Sequence, residues 1–165
     1  MVDLTVVILT KNEEKNLRKC IESFNGIAKR FVIVDSFSTD GTEEVCRILN
    51  EDLACKGIKV DFYQNKWVDY ATQLNWGLTQ TNIITEWSMR FDSDEELLPE
   101  LAEEIEEKLP KLQSPVNGVV LRRRMYFMGK FIKHGGRYPE LLLRIFRTGK
   151  APMRAKNYGR TYDSI

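Results

Sequence analysis

The chain has 165 residues, of which 42% are hydrophobic and 30% charged, with 25 Lys and Arg against 24 Asp and Glu. The net charge of +1 argues against a dedicated nucleic-acid-binding protein, and the aromatic content of 10% argues against a disordered chain. The length fits one domain, and no apolar run approaches the roughly 20 residues that cross a bilayer. Met1 leads directly into a strand-like segment without a signal-peptide pattern, so we expect a cytoplasmic protein.

The first half of the chain alternates apolar runs with amphipathic patterns. Residues 4–9 form a continuous β-branched run, typical of a strand covered on both faces, and Asn12 is placed to cap the helix that follows. Residues 31–34 predict a second such strand, residues 58–63 a more alternating strand that fits a sheet edge, and residues 69–80 a helix. The two earlier helices carry apolar residues at helical spacing: Leu17, Cys20, Ile21 and Phe24 in the first, and Val45, Ile48, Leu49 and Leu53 in the second.

The second half begins with a strand that ends in an acidic pair. Residues 86–91 form this strand and lead into Asp92-Ser93-Asp94. A helix begins at Pro99, and residues 116–126 and 140–147 predict two further strands. This order of elements predicts an α/β fold, with a mostly parallel central sheet flanked by helices.

Polar residues follow three of the predicted strands, in residues 10–13, 35–36 and 92–94. In parallel sheets, ligands bind in the crevice beyond the carboxyl ends of the strands, so these clusters indicate a binding site. The first strand is not followed by a G-x-G-x-x-G or G-x-x-x-x-G-K-[ST] motif. The phosphate cradles of dinucleotide-binding and P-loop proteins are therefore not expected.

Asp92 and Asp94 form a D-x-D pair at a strand end, and in extended backbone both carboxylates would project to one side. Paired hard oxygen ligands suit Mg²⁺ or Mn²⁺, which commonly bind one or two carboxylates together with substrate phosphates. The spacing alone is a weak signal, because acidic pairs at helix starts are common caps. Its place beside two other polar strand ends favours a metal site that offsets the charge of a departing diphosphate.

The other polar residues of these clusters also have local explanations. Asp35 alone is best explained by an Asx-type turn or loop cap, and its functional role would be to accept an N–H from a nucleobase. Glu13 fits a first-turn acid that the helix dipole favours. Asp40 and Thr42 are best explained as the cap of the helix that follows them.

The near-zero net charge conceals an asymmetry along the chain. Residues 92–107 contain nine acids and no base, whereas residues 122–160 contain twelve Lys or Arg and one acid. The basic stretch either pairs electrostatically with the acidic run at residues 92–107 or contacts an anionic ligand, such as a phosphorylated substrate or a membrane surface.

Five segments follow one another in the order of a known family: VVILTKNEEKNLRKCIESF, FVIVDSFSTDGT, DYATQLNWGL, FDSDE and GGRYPELLLRIFRTGKA. Together they resemble the family 2 glycosyltransferases, and most nearly the bacterial group that adds sugars to the lipopolysaccharide core. The resemblance implies a single GT-A domain over residues 1–165. It also implies an inverting transfer of a sugar from a nucleoside-diphosphate donor, usually a uridine one, with Mn²⁺ or Mg²⁺ as the divalent metal.

The resemblance assigns roles to individual residues. Asp35 matches the acid that recognises the base, Asp92 the first D-x-D acid near ribose and diphosphate, and Asp94 the principal metal ligand. Two positions depart from the family: Leu74 stands where many relatives have an arginine that could meet the diphosphate, and Ser36 replaces an acid. The implied substrate-binding residues are Thr10, Asn12, Glu13, Asp35, Asn75 and Asp92, and the implied metal ligands are Asp92 and Asp94.

An inverting transfer needs a general base that takes the proton from the acceptor hydroxyl. Asp163 matches the late acidic position of the family and is the candidate for this catalytic role, with a frayed terminal residue as its alternative. Glu140 is the other candidate acid, but its segment matches a structural part of the family. His134, the only histidine, lies among glycines and is better explained as a loop residue.

The expected partners are a nucleotide-sugar donor, with uridine favoured, and a glycan or lipid-linked acceptor in cell-envelope polysaccharide synthesis. We expect the protein to act in the cytoplasm or at the inner face of the membrane, where peripheral contact with the membrane is left open. No nucleic-acid partner is expected. Family members usually continue further and complete the acceptor site there, so a truncated, non-catalytic nucleotide-sugar-binding module is the alternative. A nucleotidyltransferase is a weaker third hypothesis, because residues 10–14 lack a basic, glycine-rich triphosphate loop.

Overall fold

A six-stranded sheet forms the centre of the molecule in the computed structural model, which describes residues 1–128, 130–132 and 138–150. The predicted helices and strands are confirmed, with ends that differ by a few residues. The exception is the strand predicted over residues 116–126, which ends at Arg123, while Tyr126 belongs to a separate two-stranded sheet that was not predicted. Within the described residues the strands are β1 (Val2–Thr10), β2 (Ala28–Asp35), β3 (Lys59–Gln64), β4 (Trp87–Asp92), β5 (Gly118–Arg123), β6 (Tyr126–Phe127), β7 (Lys130–Phe131) and β8 (Glu140–Arg147). The helices are α1 (Leu17–Glu22), α2 (Thr42–Ala54), α3 (Tyr70–Gln80) and α4 (Pro99–Lys108), and a 3₁₀ turn covers Leu109–Lys111.

The strands of the central sheet follow the order β3-β2-β1-β4-β8-β5. β1 pairs in parallel with β2 and β4, and β2 with β3, while β8 runs antiparallel to both β4 and β5. The predicted mostly parallel sheet is confirmed, and the third strand lies at an edge, as its alternating pattern indicated. The register places Thr10 opposite Asp35 and Leu9 opposite Asp92, so the polar ends of three strands lie side by side.

Helices cover both faces of this sheet, and each face has its own apolar core. Residues of α1, α2 and α4 pack on one face, where Phe24 makes edge-to-face contacts with Phe31 and Phe91 at centroid distances of 5.2 and 5.0 Å. α3 covers the other face of the sheet, where a smaller buried cluster is formed by Val7, Val32, Val34 and Leu74.

In the part of the chain that the structure describes, no helix combines the length and the apolar character that a membrane span requires.

α3 approaches the sheet closely at the buried residue Gly77. A Cβ at this position would lie 2.8 Å from Val34 Cγ2 and 3.0 Å from Val7 Cγ1. These distances are shorter than the usual van der Waals separation of two non-bonded carbon atoms. We expect Gly77→Ala to lower the free energy of unfolding by about 1 to 3 kcal/mol, because overpacking outweighs the gain in helix propensity. Urea denaturation measures this change, with Thr79→Ala at an exposed position of the same helix as the control. A Gly77→Ala variant as stable as the wild type would contradict the close packing.

The cap predicted for the first helix is wrong. Asn12 has a φ of 58°, in the left-handed region, and its Oδ1 accepts a hydrogen bond from the Thr39 N–H at 2.8 Å. α1 begins only at Leu17, because the preceding residues form a turn in which the Leu17 N–H donates to the Glu13 carbonyl. Asn12 therefore binds the loop after β2 instead of the helix, and this places it at the strand ends.

Candidate functional site

The carboxylate of Asp35 lies at the centre of a buried hydrogen-bond group at the end of β2. Asp35 is fully buried, and its Oδ1 accepts hydrogen bonds from the hydroxyls of Thr10, at 2.9 Å, and Ser38. Its Oδ2 accepts a hydrogen bond from the backbone N–H of Ser38 at 2.7 Å. These contacts confirm the loop-capping role that the position of Asp35 indicated. Recognition of a nucleobase by Asp35 stays a prediction.

Hydrogen bonds join the loops after β1 and β2. The Asn12 N–H donates to Ser38 Oγ at 2.7 Å, and the Glu13 N–H donates to Thr42 Oγ1 at 2.9 Å. The Glu13 carboxylate accepts a hydrogen bond from the Asn16 side chain at 2.9 Å. The structure therefore brings together four of the predicted donor-site residues: Thr10, Asn12, Glu13 and Asp35.

Phe37 is an unpredicted feature of the loop after β2. Its φ of 59° lies in the left-handed region, which bulky residues rarely adopt, and the residue is 52% exposed. The Lys11 ammonium donates to the Phe37 carbonyl at 2.6 Å and to the Ser36 carbonyl at 3.1 Å, which helps to hold this conformation. Backbone strain of this kind concentrates at binding and catalytic sites, so the loop is a candidate ligand contact.

Gln73 of α3 completes this end of the sheet, and sequence reasoning missed it. Its buried Nε2 donates to Ser36 Oγ at 3.2 Å and to the Asn65 carbonyl at 3.0 Å, and its Oε1 accepts from Asn65 Nδ2 at 2.8 Å. The signal was available, since this glutamine stands beside Leu74 on the buried side of the helix. Asn75, the predicted donor contact, lies on the same helix and is half-buried.

Asp92 ends β4, and its carboxylate has two partners. Oδ1 accepts a hydrogen bond from the Tyr70 hydroxyl at 2.8 Å, and Oδ2 lies 3.2 Å from Arg144 Nη2. Burial, together with the neighbouring Asp92 charge, raises the pKa of Tyr70 to about 12. The Tyr70 hydroxyl therefore stays protonated at neutral pH and donates its hydrogen bond to Asp92.

The backbone does not stay extended through the D-x-D pair, so the condition under which both carboxylates would project to one side is not met. Ser93 and Asp94 lie in a turn that is closed by a hydrogen bond of 3.0 Å from the Glu95 N–H to the Asp92 carbonyl. Asp94 is exposed and lines a cleft of about 510 Å³, whose walls also include Glu95 and Arg144. The two carboxylates of the pair therefore differ in their surroundings: that of Asp92 is ion-paired, and that of Asp94 borders an open cleft.

Arg144 is the second site residue that sequence reasoning missed. Its guanidinium lies 2.6 Å from Glu95 as well as 3.2 Å from Asp92. Arg123 lies 3.5 Å from the same Glu95 carboxylate and 2.6 Å from Glu140. Burial raises the pKa of Glu95, and the nearby Arg144 charge opposes this rise. The basic stretch is therefore in part the electrostatic complement of the acidic run, which is one of the two alternatives considered.

The donor chemistry of Asp92 and Asp94 fits a hard divalent cation. Within residues 1–128, 130–132 and 138–150, no group of three or more His, Cys, Asp or Glu side chains is placed to hold a metal ion. Two carboxylates are nevertheless enough for Mg²⁺ or Mn²⁺ when phosphate oxygens supply further ligands.

The candidate general base, Asp163, lies outside the described residues, as does His134. Glu140, the other candidate acid, forms an ion pair with Arg123 on the neighbouring strand β5. This contact agrees with the structural role expected for Glu140. The catalytic role of Asp163 stays a prediction.

Comparison with known protein sequences relates nearly the whole chain to one family. The model of the family described as Glycosyl transferase family 2 matches residues 5–162. LpsC of Rhizobium meliloti (strain 1021), a lipopolysaccharide core biosynthesis glycosyltransferase, is 34% identical over 155 residues, covering 89% of this chain and 52% of LpsC. The chain thus spans about half the length of this relative.

Two solved glycosyltransferases are similar to this chain in structure. PcManGT from Pyrobaculum calidifontis, a mannosyltransferase solved with GDP-Man and Mn²⁺, has a TM-score of 0.57 at 22% identity, over 73% of this chain and 36% of its own. TarS 1–349 of S. aureus, solved with UDP-GlcNAc, has a TM-score of 0.58 at 20% identity, over 90% of this chain and 46% of its own. At these identities the similarity shows the fold alone, and it confirms the GT-A fold.

Proposed function

The chain belongs to glycosyl transferase family 2, and from this membership we propose that it transfers a sugar from a nucleoside-diphosphate donor to a glycan or lipid-linked acceptor, with inversion at the transferred carbon. The observation that carries the proposal is the alignment of three polar strand ends. β1 ends at Thr10, β2 at Asp35 and β4 at Asp92, and the register sets these ends side by side. Ligands of such sheets bind beyond the carboxyl ends of the strands.

We assign the nucleoside to the loops after β1 and β2. The buried Asp35 holds these loops, and the exposed Phe37 offers an aromatic surface beside them. Uridine is the nucleoside that the motif resemblance implies, and TarS was solved with UDP-GlcNAc. PcManGT was solved with GDP-Man, so GDP belongs beside UDP in any binding test.

Asp92 and Asp94 are the residues that would hold Mn²⁺ or Mg²⁺ together with the donor diphosphate. When bound, such a cation supplies Lewis-acid stabilisation of the negative charge that develops on the leaving diphosphate. The Tyr70 hydroxyl orients the Asp92 carboxylate through its hydrogen bond to Oδ1. Asn75 is the further donor contact that the family pattern assigns to α3.

We assign the acceptor to the side of the cleft that Asp94 lines, with Asp163 as the general base. Asp163 would take the proton of the acceptor hydroxyl as the sugar is transferred. Because LpsC is described as a lipopolysaccharide core enzyme, we propose an acceptor in cell-envelope polysaccharide synthesis. Work at the inner face of the membrane and contact with its surface stay predictions.

Asp94→Ala is expected to abolish the metal-dependent binding of UDP. In the wild type, UDP with Mn²⁺ should raise the melting temperature, because a ligand that binds only the native protein stabilises it. This increase should disappear in Asp94→Ala, since the variant lacks the principal metal ligand proposed here. Thermal denaturation with UDP or GDP, each with and without Mn²⁺, measures the effect.

Glu96→Ala is the matched control for this experiment. Glu96 is an exposed acid close to Asp94 in the chain, and it forms an ion pair with Lys19 at 2.7 Å. Its variant should keep the full stabilisation by UDP and Mn²⁺. An Asp94→Ala variant that these ligands stabilise as much as the wild type would overturn the site assignment.

Release of UDP from UDP-sugars separates an enzyme from a non-catalytic binding module. An enzyme should release UDP by donor hydrolysis, in which water takes the sugar in place of the acceptor hydroxyl, and Asp163→Asn should lose this release while it keeps the binding of UDP with Mn²⁺. Binding without release in the wild type would favour the nucleotide-sugar-binding module.

A further inference from the structure

The guanidinium of Arg144 lies between two carboxylates at the end of β4. Nη2 is 3.2 Å from Asp92 Oδ2 and 2.6 Å from Glu95 Oε1, and only 5% of the side chain is exposed. The other terminal nitrogen, Nη1, is buried without a hydrogen-bond partner among the described residues. A buried guanidinium with one unpaired nitrogen is an inefficient source of stability, because desolvation cancels much of the ion-pair energy. The arrangement therefore points to a role beyond folding.

A bulge in β8 aims this side chain at the site. Val119 pairs with Ile145 and Val120 pairs with Leu143, so Arg144 is the extra residue of β8 without a partner on β5. An extra residue of this kind interrupts the regular alternation of side chains between the two faces of a sheet. Bulges commonly re-aim a side chain next to a binding site, and here the irregularity falls at the residue that reaches the D-x-D pair.

We infer that Arg144 is a built-in counter-cation of the D-x-D pair, which holds Asp92 until a divalent cation arrives with the donor diphosphate. The inference rests on the proposed function, because it takes Asp92 to be a metal ligand. The guanidinium and a divalent cation would need the same carboxylate, and two positive charges beside one carboxylate would repel each other. A diphosphate brings negative charge that offsets the repulsion. The cation alone therefore binds weakly, and the cation with the nucleotide binds well.

Arg144→Gln tests this competition with Mn²⁺ as the only ligand. Removing the charge at residue 144 frees Asp92 Oδ2 and leaves Arg123 as the basic contact of Glu95, so the dissociation constant for Mn²⁺ alone should fall on the order of tenfold or more. Arg144→Lys keeps the charge, and its affinity for Mn²⁺ should stay close to that of the wild type. The electron paramagnetic resonance signal of free Mn²⁺ measures these constants. Mn²⁺ alone should also raise the melting temperature of Arg144→Gln more than that of the wild type.

Arg147→Gln is the matched control on the same strand. Arg147 is a partly buried arginine that pairs with Glu86 and stacks over Trp87, at the end of β4 opposite to Asp92. Its loss should leave the affinity for Mn²⁺ unchanged, even where it lowers stability. An Arg144→Gln variant that binds Mn²⁺ no more tightly than the wild type would overturn the inference.

The wild type supplies a second test in case Arg144→Gln does not fold. The side-chain Nε–H signal of Arg144, assigned by comparison with Arg144→Lys, should shift in ¹⁵N NMR spectra when UDP and Mg²⁺ are added together. No shift at saturation would overturn the inference, because the guanidinium would then keep its partners. Failure of the proposed function is distinguishable, since in that case the wild type binds no UDP with or without metal.

Discussion

Replacing Asp35 by alanine is expected to lower the free energy of unfolding by about 3 kcal/mol and to remove the binding of UDP. The Asp35 carboxylate is fully buried and accepts hydrogen bonds from Thr10 and from two groups of Ser38. Its loss leaves donors without an acceptor where water has little access, which costs more than the loss of an exposed hydrogen bond. The loops after β1 and β2 would then lose their shared support, and nucleoside binding would fail with them.

Urea denaturation gives the stability change for Asp35→Ala, and the thermal shift with UDP and Mn²⁺ reports binding. Asp40→Ala is the control, because Asp40 accepts hydrogen bonds from the N–H groups of Thr42 and Glu14 in the same loops but is exposed to water. It should cost clearly less stability, since water replaces its hydrogen bonds. Equal losses in the two variants would contradict the importance of the burial of Asp35.

Asp92→Ala is expected to remove the binding of UDP with Mn²⁺ and, unlike Asp94→Ala, to destabilise the fold. Loss of this carboxylate leaves the buried Arg144 with Glu95 as its acidic contact and leaves the Tyr70 hydroxyl without its acceptor. We expect a cost of about 2 kcal/mol, below that of breaking a fully buried pair, because Asp92 is partly exposed. Asp94 is exposed, so its loss should leave the stability of the unliganded protein unchanged.

Urea denaturation without ligand and thermal shifts with UDP and Mn²⁺ compare these two variants. The expected pattern is loss of ligand stabilisation in both, with a lower free energy of unfolding only in Asp92→Ala. If Asp92→Ala proved as stable as the wild type, the contact between Asp92 and Arg144 would contribute nothing to stability. The inference that Arg144 holds this carboxylate would then lose its physical basis.

Local patterns were sufficient to predict the helices and most strands of the central sheet, because burial on one or both faces leaves a periodic pattern in the sequence, but they did not predict the short strands β6 and β7. The continuous apolar runs at residues 4–9 and 31–34 became buried parallel strands, and the alternating run at 58–63 became an edge strand. The helix cap assigned to Asn12 was wrong because the partner of its side chain is 27 positions away in the chain. Its side chain binds Thr39 in another loop, a partner that residues close in sequence do not reveal.

The missed site residues share one property that the sequence does show. Gln73 lies on the buried side of α3, and Arg144 interrupts the apolar run of β8, so both are polar residues at positions that pattern alone would fill with apolar ones. Such positions predict a buried polar contact, because an unpaired buried polar group is costly. They do not name the partner. The hydrogen bonds of Gln73 to Ser36 and Asn65 are evident only in the tertiary structure.

The order of the elements, the family and the position of Asp35 and Asp92 at strand ends could be inferred from the amino-acid sequence, since each depends on residues that are near one another in the chain. The contact between Asp92 and Arg144, 52 positions later, and the turn directly after Asp92 are evident from the folded molecule alone. Charged side chains pair across a sheet according to spatial proximity and the exclusion of water. Neither of these leaves a periodic pattern along the chain.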